Sequence, residues 1–346
     1  MKMGYTERPS ESLLNVLYNM GVHKIGLKHF LERRKVQEFG YQYVAVEMLV
    51  REQYLVLDPD FRGSPIRDEI YRGVRFRLLS PGGEEKADAV LSRSEQASPV
   101  VSWRDLLELL PTPPIPTITL DLSALALSSE DPNVMRVQIR ELIDRVREYL
   151  WDPHLAITSA DRGFMEWVNM IVGRNKITIT QSRPSELLWS MDADKVVILR
   201  QDAPYALTPH DVLSSEAFLV GMPHEKSISP TQSRFLDNLV PWGLPRRVEL
   251  RNSVVGVPDS INKIVETVLK ARYKYGGDIE KAVISSMTHK NAISRLYYEI
   301  MKASKKGIGS PYVTWELYED LSEWLPISRE DFEKVAEKLG VRIRGD

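Results

Sequence analysis

Residues 217–230 read AFLVGMPHEKSISP: an uncharged apolar run closed by Gly221, then a proline, then His224, Glu225 and Lys226 in succession. A short run of this kind suits a strand buried on both faces, and such strands belong to parallel sheets. Ligands in open parallel sheets bind beyond the carboxyl ends of the strands. The three polar groups that follow Gly221 therefore stand where chemistry is expected.

Working outward, the same pattern recurs. TITLDL (117–122), LAITSA (155–160), KITIT (176–180) and VVILR (196–200) are further short runs rich in β-branched and aliphatic residues. Between the first two lies DPNVMRVQIRELIDRVREYLW, in which Met135, Ile139, Leu142, Ile143, Val146 and Leu150 fall at helical spacing; Asp131 suits its cap and Pro132 its first turn. SINKIVETVLKARY (260–273) predicts another helix, with Ile261, Ile264, Val265, Val268 and Leu269 on one face. Strands alternating with helices predict a mostly parallel α/β sheet with helices on both faces.

The stretch PTPPIPT (111–117) cannot continue a helix or enter a central strand, and it marks a domain boundary. Before it, SESLLNVLYNM (10–20) predicts a helix, YQYVAVEML, YLVLD, GVRFRLL and ADAVLS a run of strands, and SWRDLLELL a short helix. After the sheet, helices are expected near 314–325 and 328–339, the second opened by the capping pattern Ser328-x-x-Asp331. The expected organisation is an α+β domain over 1–112, the α/β domain over 117–275 and a helical domain over 276–346.

Composition narrows the classes. A chain of 346 residues with 43% hydrophobic and 27% charged residues is an ordinary globular protein, and at about 150 residues per domain it holds two or three. It has no cysteine, so disulfides, thiolate catalysis and cysteine-ligated metals are excluded. No run of about 18 uncharged apolar residues is present, and MKMGYTERPS lacks the apolar core of a signal peptide, so a cytoplasmic protein is expected. GxGxxG, GxxxxGK[ST] and GxSxG are absent, which argues against a standard dinucleotide binder, a P-loop NTPase and a serine hydrolase. The six histidines contain no HExxH pair, and no metal is expected.

The net charge of −2 hides local concentrations. From Lys263 to Lys306 ten lysines and arginines, Lys270, Arg272, Lys274 and Arg295 among them, stand against four carboxylates. Near the amino terminus Lys24, Lys28, Arg33, Arg34 and Lys35 are opposed only by Glu32. Such patches suit local contact with a polyanion; a solvated helix face is the competing reading.

The order of these pieces resembles the tRNA purine-9 N1-methyltransferases, a branch of the SPOUT class, with the long flanking segments most similar to archaeal members. TITLDLS, with Asp121 closing the strand, resembles that family's opening strand. DKVVILRQDAP (194–204) is similar to its K-x-V-Y-L-T-x-D-S, AFLVGMP to its I-I-G-G-L-V, and VVGVPDSINKIVETVLKAR (254–272) to its closing V-L-T-I-N-x-V-x-E-I-L. The resemblance covers Thr117 to about Leu296.

It implies a trefoil-knotted sheet whose three bends wrap S-adenosylmethionine. Those bends carry Arg200, Gln201 and Asp202; Val220, Gly221 and Met222; and Leu250, Val255, Gly256, Val257 and Ser260. Gly221 and Gly256 would allow close approach to the cofactor. The basic patches would then hold tRNA phosphates through Lys24, Lys28, Arg33, Arg34, Lys270, Arg272, Lys274, Lys302, Lys305 and Lys306, with Arg234, Arg246, Arg247 and Arg251, close in sequence to the bends, as candidates for nearer contacts and Asp121 counted among the substrate-binding residues. The aspartate that usually follows the family's I-I-G-G-L-V strand is missing after AFLVGMP. His224 stands in its register with Glu225 beside it, so either is the candidate to touch the substrate or take a proton. N1 of adenine has a free lone pair, whereas N1 of guanine must lose a proton; the missing carboxylate favours adenine. Many SPOUT enzymes dimerise, but this family is generally monomeric, and a monomer is expected. A non-catalytic RNA-binding protein on an α/β scaffold, or another nucleotide-cofactor transferase, would also account for the strands and patches.

Overall fold

The computed structural model describes residues 7–28, 31–93, 99–123, 132–221, 235–304 and 311–344. They fall into two compact units, the first running to Ala193 and the second from Asp194 onward.

The first unit opens with α1 (Pro9–Met20), β1 (Lys24–Gly26), α2 (Arg33–Phe39) and α3 (Tyr41–Arg51). Strands β2 (Tyr54–Val56), β3 (Arg62–Tyr71), β4 (Val74–Pro81), β5 (Glu85–Lys86), β6 (Ala89–Ser92) and β7 (Pro99–Ser102) follow, and α4 (Trp103–Leu107) closes this part. The sheet order is β5-β3-β4-β1-β6-β2-β7. The β3–β4 hairpin turns on Arg72 and Gly73, both at positive φ, the conformation a two-residue hairpin of type I′ needs. Helices α1 and α3 seal one core, in which Leu13, Leu17, Val44, Met48, Leu49, Phe76 and Leu78 are almost wholly buried.

YQYVAVEML forms helix α3, not the expected strand. Tyr41, Val44, Ala45, Met48 and Leu49 recur at the three- and four-residue spacing of a helix, and all are fully buried. Packing of that stripe against α1 overrides the β-branched character of the segment.

The proline-rich stretch runs inside this first unit, which continues with β8 (Thr117–Asp121), α5 (Pro132–Arg147), β9 (Leu155–Thr158), α6 (Arg162–Val172), β10 (Thr178–Ile179) and α7 (Pro184–Ser190). Strands β8, β9 and β10 are parallel, with Asp121 opposite Thr158. Gln42 of α3 donates from Nε2 to the carbonyls of Arg147 and Leu150, 3.1 and 2.8 Å, where α5 ends. Lys176 pairs with Glu52 at 2.7 Å. These bonds hold the two sides of the proline stretch together.

The second unit begins with β11 (Val196–Leu199), α8 (Pro209–Ser214), β12 (Ala217–Gly221), α9 (Phe235–Leu239) and β13 (Leu244–Arg246). Here β11 is parallel to both β12 and β13. Every residue of β11 and β12 is buried, as the uncharged runs require. Helices α10 (Ile261–Tyr273), α11 (Ile279–Ser286) and α12 (His289–Ala303) follow; then β14 (Tyr312–Thr314), α13 (Trp315–Ser322), α14 (Arg329–Lys338) and β15 (Arg342–Arg344) form a small module with its own core around Leu296, Ile300, Leu321 and Phe332. The predicted cap is present: Ser328 Oγ accepts from Asp331 N, and the Asp331 carboxylate accepts from Ser328 N. The protein is thus mixed α/β with parallel sheets and flanking helices. Among the described residues no helix is long and apolar enough to cross a membrane.

Candidate active site

The chain leaves β11 at Leu199 and turns at once, with Ala203 N bonding back to the Arg200 carbonyl at 3.3 Å. Arg200 is 7% exposed. A buried guanidinium needs partners, and it has two carboxylates: Asp202 at 2.6 Å and Asp237 of α9, which accepts from Nε and Nη2 at 3.1 and 2.9 Å. The first bend is thereby tied to the element that follows β12.

Beyond β13 the chain runs beside this bend. Arg247 N donates to the Tyr205 carbonyl at 2.9 Å, and Arg247 Nη1 donates to the Ala203 carbonyl at 2.6 Å. Arg246 Nε reaches Asp211 at 2.8 Å. Burial works to raise Asp211, but the hydrogen bonds from Arg246 and Thr208 outweigh it and hold the carboxyl below its ordinary range.

The last bend is a tight turn. Leu250 and Ser253 exchange backbone hydrogen bonds of 2.8 and 3.1 Å, with Arg251 and Asn252 between them at positive φ. Ser253 Oγ then accepts from Val255 N at 3.2 Å. Gly256 follows at φ 78°, and the Ser260 carbonyl starts α10 by accepting from Lys263 N and Ile264 N.

The first and last bends border one recess. It is a shallow, half-open cleft lined by Leu199, Arg200, Gln201, Val248, Val254, Val257, Pro258 and Ile264. Its walls are aliphatic, with the polar Arg200–Gln201 bend at one side. Such a lining accepts a flat, largely apolar group whose edge seeks polar contacts, as an adenine ring does.

Of the expected cofactor residues, Arg200, Gln201 and Val257 line this recess. Leu250, Val255 and Gly256 belong to the turn that shapes it, Asp202 steadies Arg200, and Val220 and Gly221 end the neighbouring strand, Val220 in register with Leu199. Met222, His224, Glu225, Arg234, Lys305 and Lys306 lie outside the described residues. The close approach that each glycine permits is to protein: a Cβ on Gly221 would stand 2.8 Å from Leu236 Cδ1, and one on Gly256 would stand 2.6 Å from Arg295 Cβ and 2.9 Å from the Asn291 carbonyl. Val254, Val248, Pro258 and Ile264 were not singled out as site residues by sequence; two of them lie within the quoted VVGVPDS, where small apolar residues between turn formers are the only signal.

Several of the expected tRNA contacts are engaged within the protein. Arg272 Nη1 donates to the carbonyls of Val212 and Ser215, 3.0 and 2.9 Å, where α8 ends. Lys270 pairs with Glu266 and donates to the Ser285 carbonyl. Arg251 pairs with Glu280 at 3.0 Å and covers the Trp324 ring at 4.0 Å. Arg295, counted in the basic run, is 1% exposed and cannot meet a phosphate. Lys274 is exposed. In the first unit Arg33 and Arg34 are exposed, while Lys24 and Lys28 pair with Glu85 and Asp58 at 2.9 and 3.6 Å. Asp121 is 1% exposed, and its carboxylate accepts from Ser123 N, Ser123 Oγ, Thr158 Oγ1 and Ser159 Oγ. Those bonds fix the end of β8.

Among the described residues no group of three or more histidines and carboxylates is placed to hold a metal ion. No known family profile matches the chain. It is 30% identical over 266 residues to a tRNA (guanine(9)-/adenine(9)-N1)-methyltransferase of Thermococcus kodakarensis, an alignment spanning 74% of this chain and 70% of that one. A tRNA (adenine(9)-N1)-methyltransferase of Sulfolobus acidocaldarius is 25% identical over 237 residues, 66% of this chain and 70% of the other. The crystal structure of Sulfolobus acidocaldarius Trm10 in complex with S-adenosylhomocysteine shares the fold, with a TM-score of 0.70 at 22% identity, over 96% of this chain and 99% of that one.

Proposed function

The chain belongs to the tRNA purine-9 N1-methyltransferase family, and we propose that it holds its cofactor in the recess beyond the carboxyl ends of β11 and β13. It is an S-adenosylmethionine-dependent enzyme that methylates N1 of the purine at position 9 of tRNA. The observation that carries the site is the shared recess: two bends far apart in sequence, 199–201 and 248–258, line one aliphatic pocket.

In this reading Val248, Val254, Val257, Pro258 and Ile264 hold the adenine moiety, and the Arg200–Gln201 bend offers polar groups to its edge. S-adenosylmethionine supplies an electrophilic methyl group on a sulfonium. Position 9 lies in the folded core of a tRNA, so the base must leave its stack to be methylated. In-line alignment of N1, methyl carbon and sulfur is what the protein contributes most; the best-oriented reactions gain on the order of 7 to 11 kcal/mol from it.

The same reading takes the bends as those of a SPOUT trefoil knot in a monomeric, cytoplasmic enzyme, with 1–112 as a tRNA-binding domain, 117–275 as the catalytic domain and 276–346 as a helical domain. His224 or Glu225, which follow the end of β12 in sequence, is the candidate to touch the substrate. Adenine is favoured because its N1 needs orientation and no base. Two measurements test this. Calorimetry is expected to give saturable one-to-one binding of S-adenosylmethionine, and the turnover of an adenine-9 transcript is expected to show no ionisation near about pH 6.5. Absence of cofactor binding would remove the site, and a rate governed by such an ionisation would remove the orientation-only role of His224.

A further inference from the structure

We infer that Arg295, on α12 in the carboxyl-terminal part of the chain, is a positioning residue for the cofactor turn, so that α12 and the module packed on it set the enzyme's affinity for S-adenosylmethionine. The inference rests on the recess being the cofactor site and goes beyond it by naming what shapes its wall.

The 250–256 segment does not hold itself. Arg251 and Asn252 occupy left-handed conformations that side chains other than glycine rarely adopt, and Gly256 is a third residue at positive φ. Such a backbone persists only where its surroundings fix it. Within the turn, the Leu250–Ser253 bonds and one hydroxyl bond from Ser253 are local. Two long-range ties reach it: Arg251 pairs with Glu280 of α11 at 3.0 Å, and Arg295 Nη1 donates to the Leu250 carbonyl at 2.7 Å and to the Val255 carbonyl at 3.2 Å, the tie that brackets the turn from both sides.

The guanidinium is itself held. Glu299, one helical turn along α12, accepts from Nε at 2.7 Å and lies 2.6 Å from Nη2, which orients the fork toward the turn. Trp324 lies under both cations, 5.6 Å from Arg295 and 4.0 Å from Arg251. Gly256 completes the fit, since any side chain there would strike Arg295 Cβ and the Asn291 carbonyl. Val254 and Val257, which line the recess, flank the bonded Val255 and the packed Gly256. A shift of Arg295 therefore moves two walls of the pocket while no atom of Arg295 lines it.

The test uses the full chain with Arg295→Lys, which keeps the charge but loses the fork, and Arg295→Met, which removes the donors. Val257→Trp, which fills the recess, is the third variant. Arg295→Lys is expected to weaken S-adenosylmethionine binding by about tenfold in calorimetry, and Arg295→Met by more. KM for tRNA and kcat at saturating cofactor are expected to stay within about twofold of wild type for Arg295→Lys. Backbone amides of 250–257 are expected to exchange faster in that variant, a readout independent of turnover. Should Arg295→Met fail to fold, Glu299→Gln serves in its place, with a loss of affinity smaller than that of Arg295→Lys. An unchanged cofactor Kd in Arg295→Lys, with Val257→Trp abolishing binding, overturns the inference and leaves the site standing. Equal losses in Kd, tRNA KM and kcat overturn it too, because they mark general damage. An unchanged Kd in Val257→Trp overturns the site and the inference together.

Discussion

Asp237 holds Arg200 by two parallel hydrogen bonds, Nε to Oδ1 at 3.1 Å and Nη2 to Oδ2 at 2.9 Å, and so joins the turn after β11 to the helix after β12. A guanidinium only 7% exposed has no water to replace a lost partner. Asp237→Ala is expected to destabilise the protein by about 2 kcal/mol, less than for a fully buried pair because Asp237 retains 30% exposure and Asp202 remains. Thermal melts check the stability, and calorimetry is expected to show weaker S-adenosylmethionine binding in the same variant.

Gly221 closes β12 against Leu236, whose Cδ1 would lie 2.8 Å from any Cβ placed there. Gly221→Val is expected to cost about 1–3 kcal/mol through overpacking and to weaken cofactor binding. Leu236→Ala makes the missing space, so the double variant Gly221→Val with Leu236→Ala is expected to recover part of the loss. Strict additivity of the two changes in a double-mutant cycle would show that this contact is not the reason for the glycine.

Asp211 joins the cap of α8 to Arg246, and its carboxyl is held below the ordinary range. A carboxyl depressed in the folded state stabilises fully above its unfolded pKa, about 3.9, and that contribution is lost as pH falls through the lower folded value. Asp211→Asn is expected to flatten the decline of stability below about pH 4 while lowering stability at neutral pH. Urea midpoints measured from pH 3 to pH 7 check both limbs; parallel curves for the two proteins would contradict the assignment.

Arg33 and Arg34 are exposed, whereas Lys24 and Lys28 already face Glu85 and Asp58. Neutralising all four is expected to lower tRNA affinity and the steepness of its salt dependence without changing cofactor affinity. Arg33 and Arg34 together are expected to account for most of that slope. A salt slope unaltered in the fourfold variant would make the patch ordinary solvated surface.

The strands of the α/β region were legible because burial on both faces leaves uncharged runs such as VVIL and AFLVG, and no other local structure explains them as simply. Helix α10 was legible from the spacing of its aliphatic residues. Helix α3 was not, because Val44, Val46 and Val50 favour strands locally and only the stripe of Tyr41, Ala45, Met48 and Leu49 reveals the helix. Bends at the site were found by order and resemblance, but the purpose of their glycines was not: what Gly221 and Gly256 approach lies 15 and 39 positions away in Leu236 and Arg295. Arg272 and Arg295 read as surface charge because a basic residue in a basic run carries no mark of burial. The carbonyls they reach across the fold, those of Val212 and Ser215 for Arg272 and of Leu250 and Val255 for Arg295, have no sequence signature.

The most direct measurement is position-resolved mass spectrometry of two tRNA transcripts differing only at position 9, each incubated with purified enzyme and S-adenosylmethionine. Formation of 1-methyladenosine at position 9 of the adenine transcript, faster than 1-methylguanosine in the other, is the expected result. Methylation confined to guanine would contradict the adenine preference, and no methylation at position 9 of either transcript would contradict the assigned activity itself.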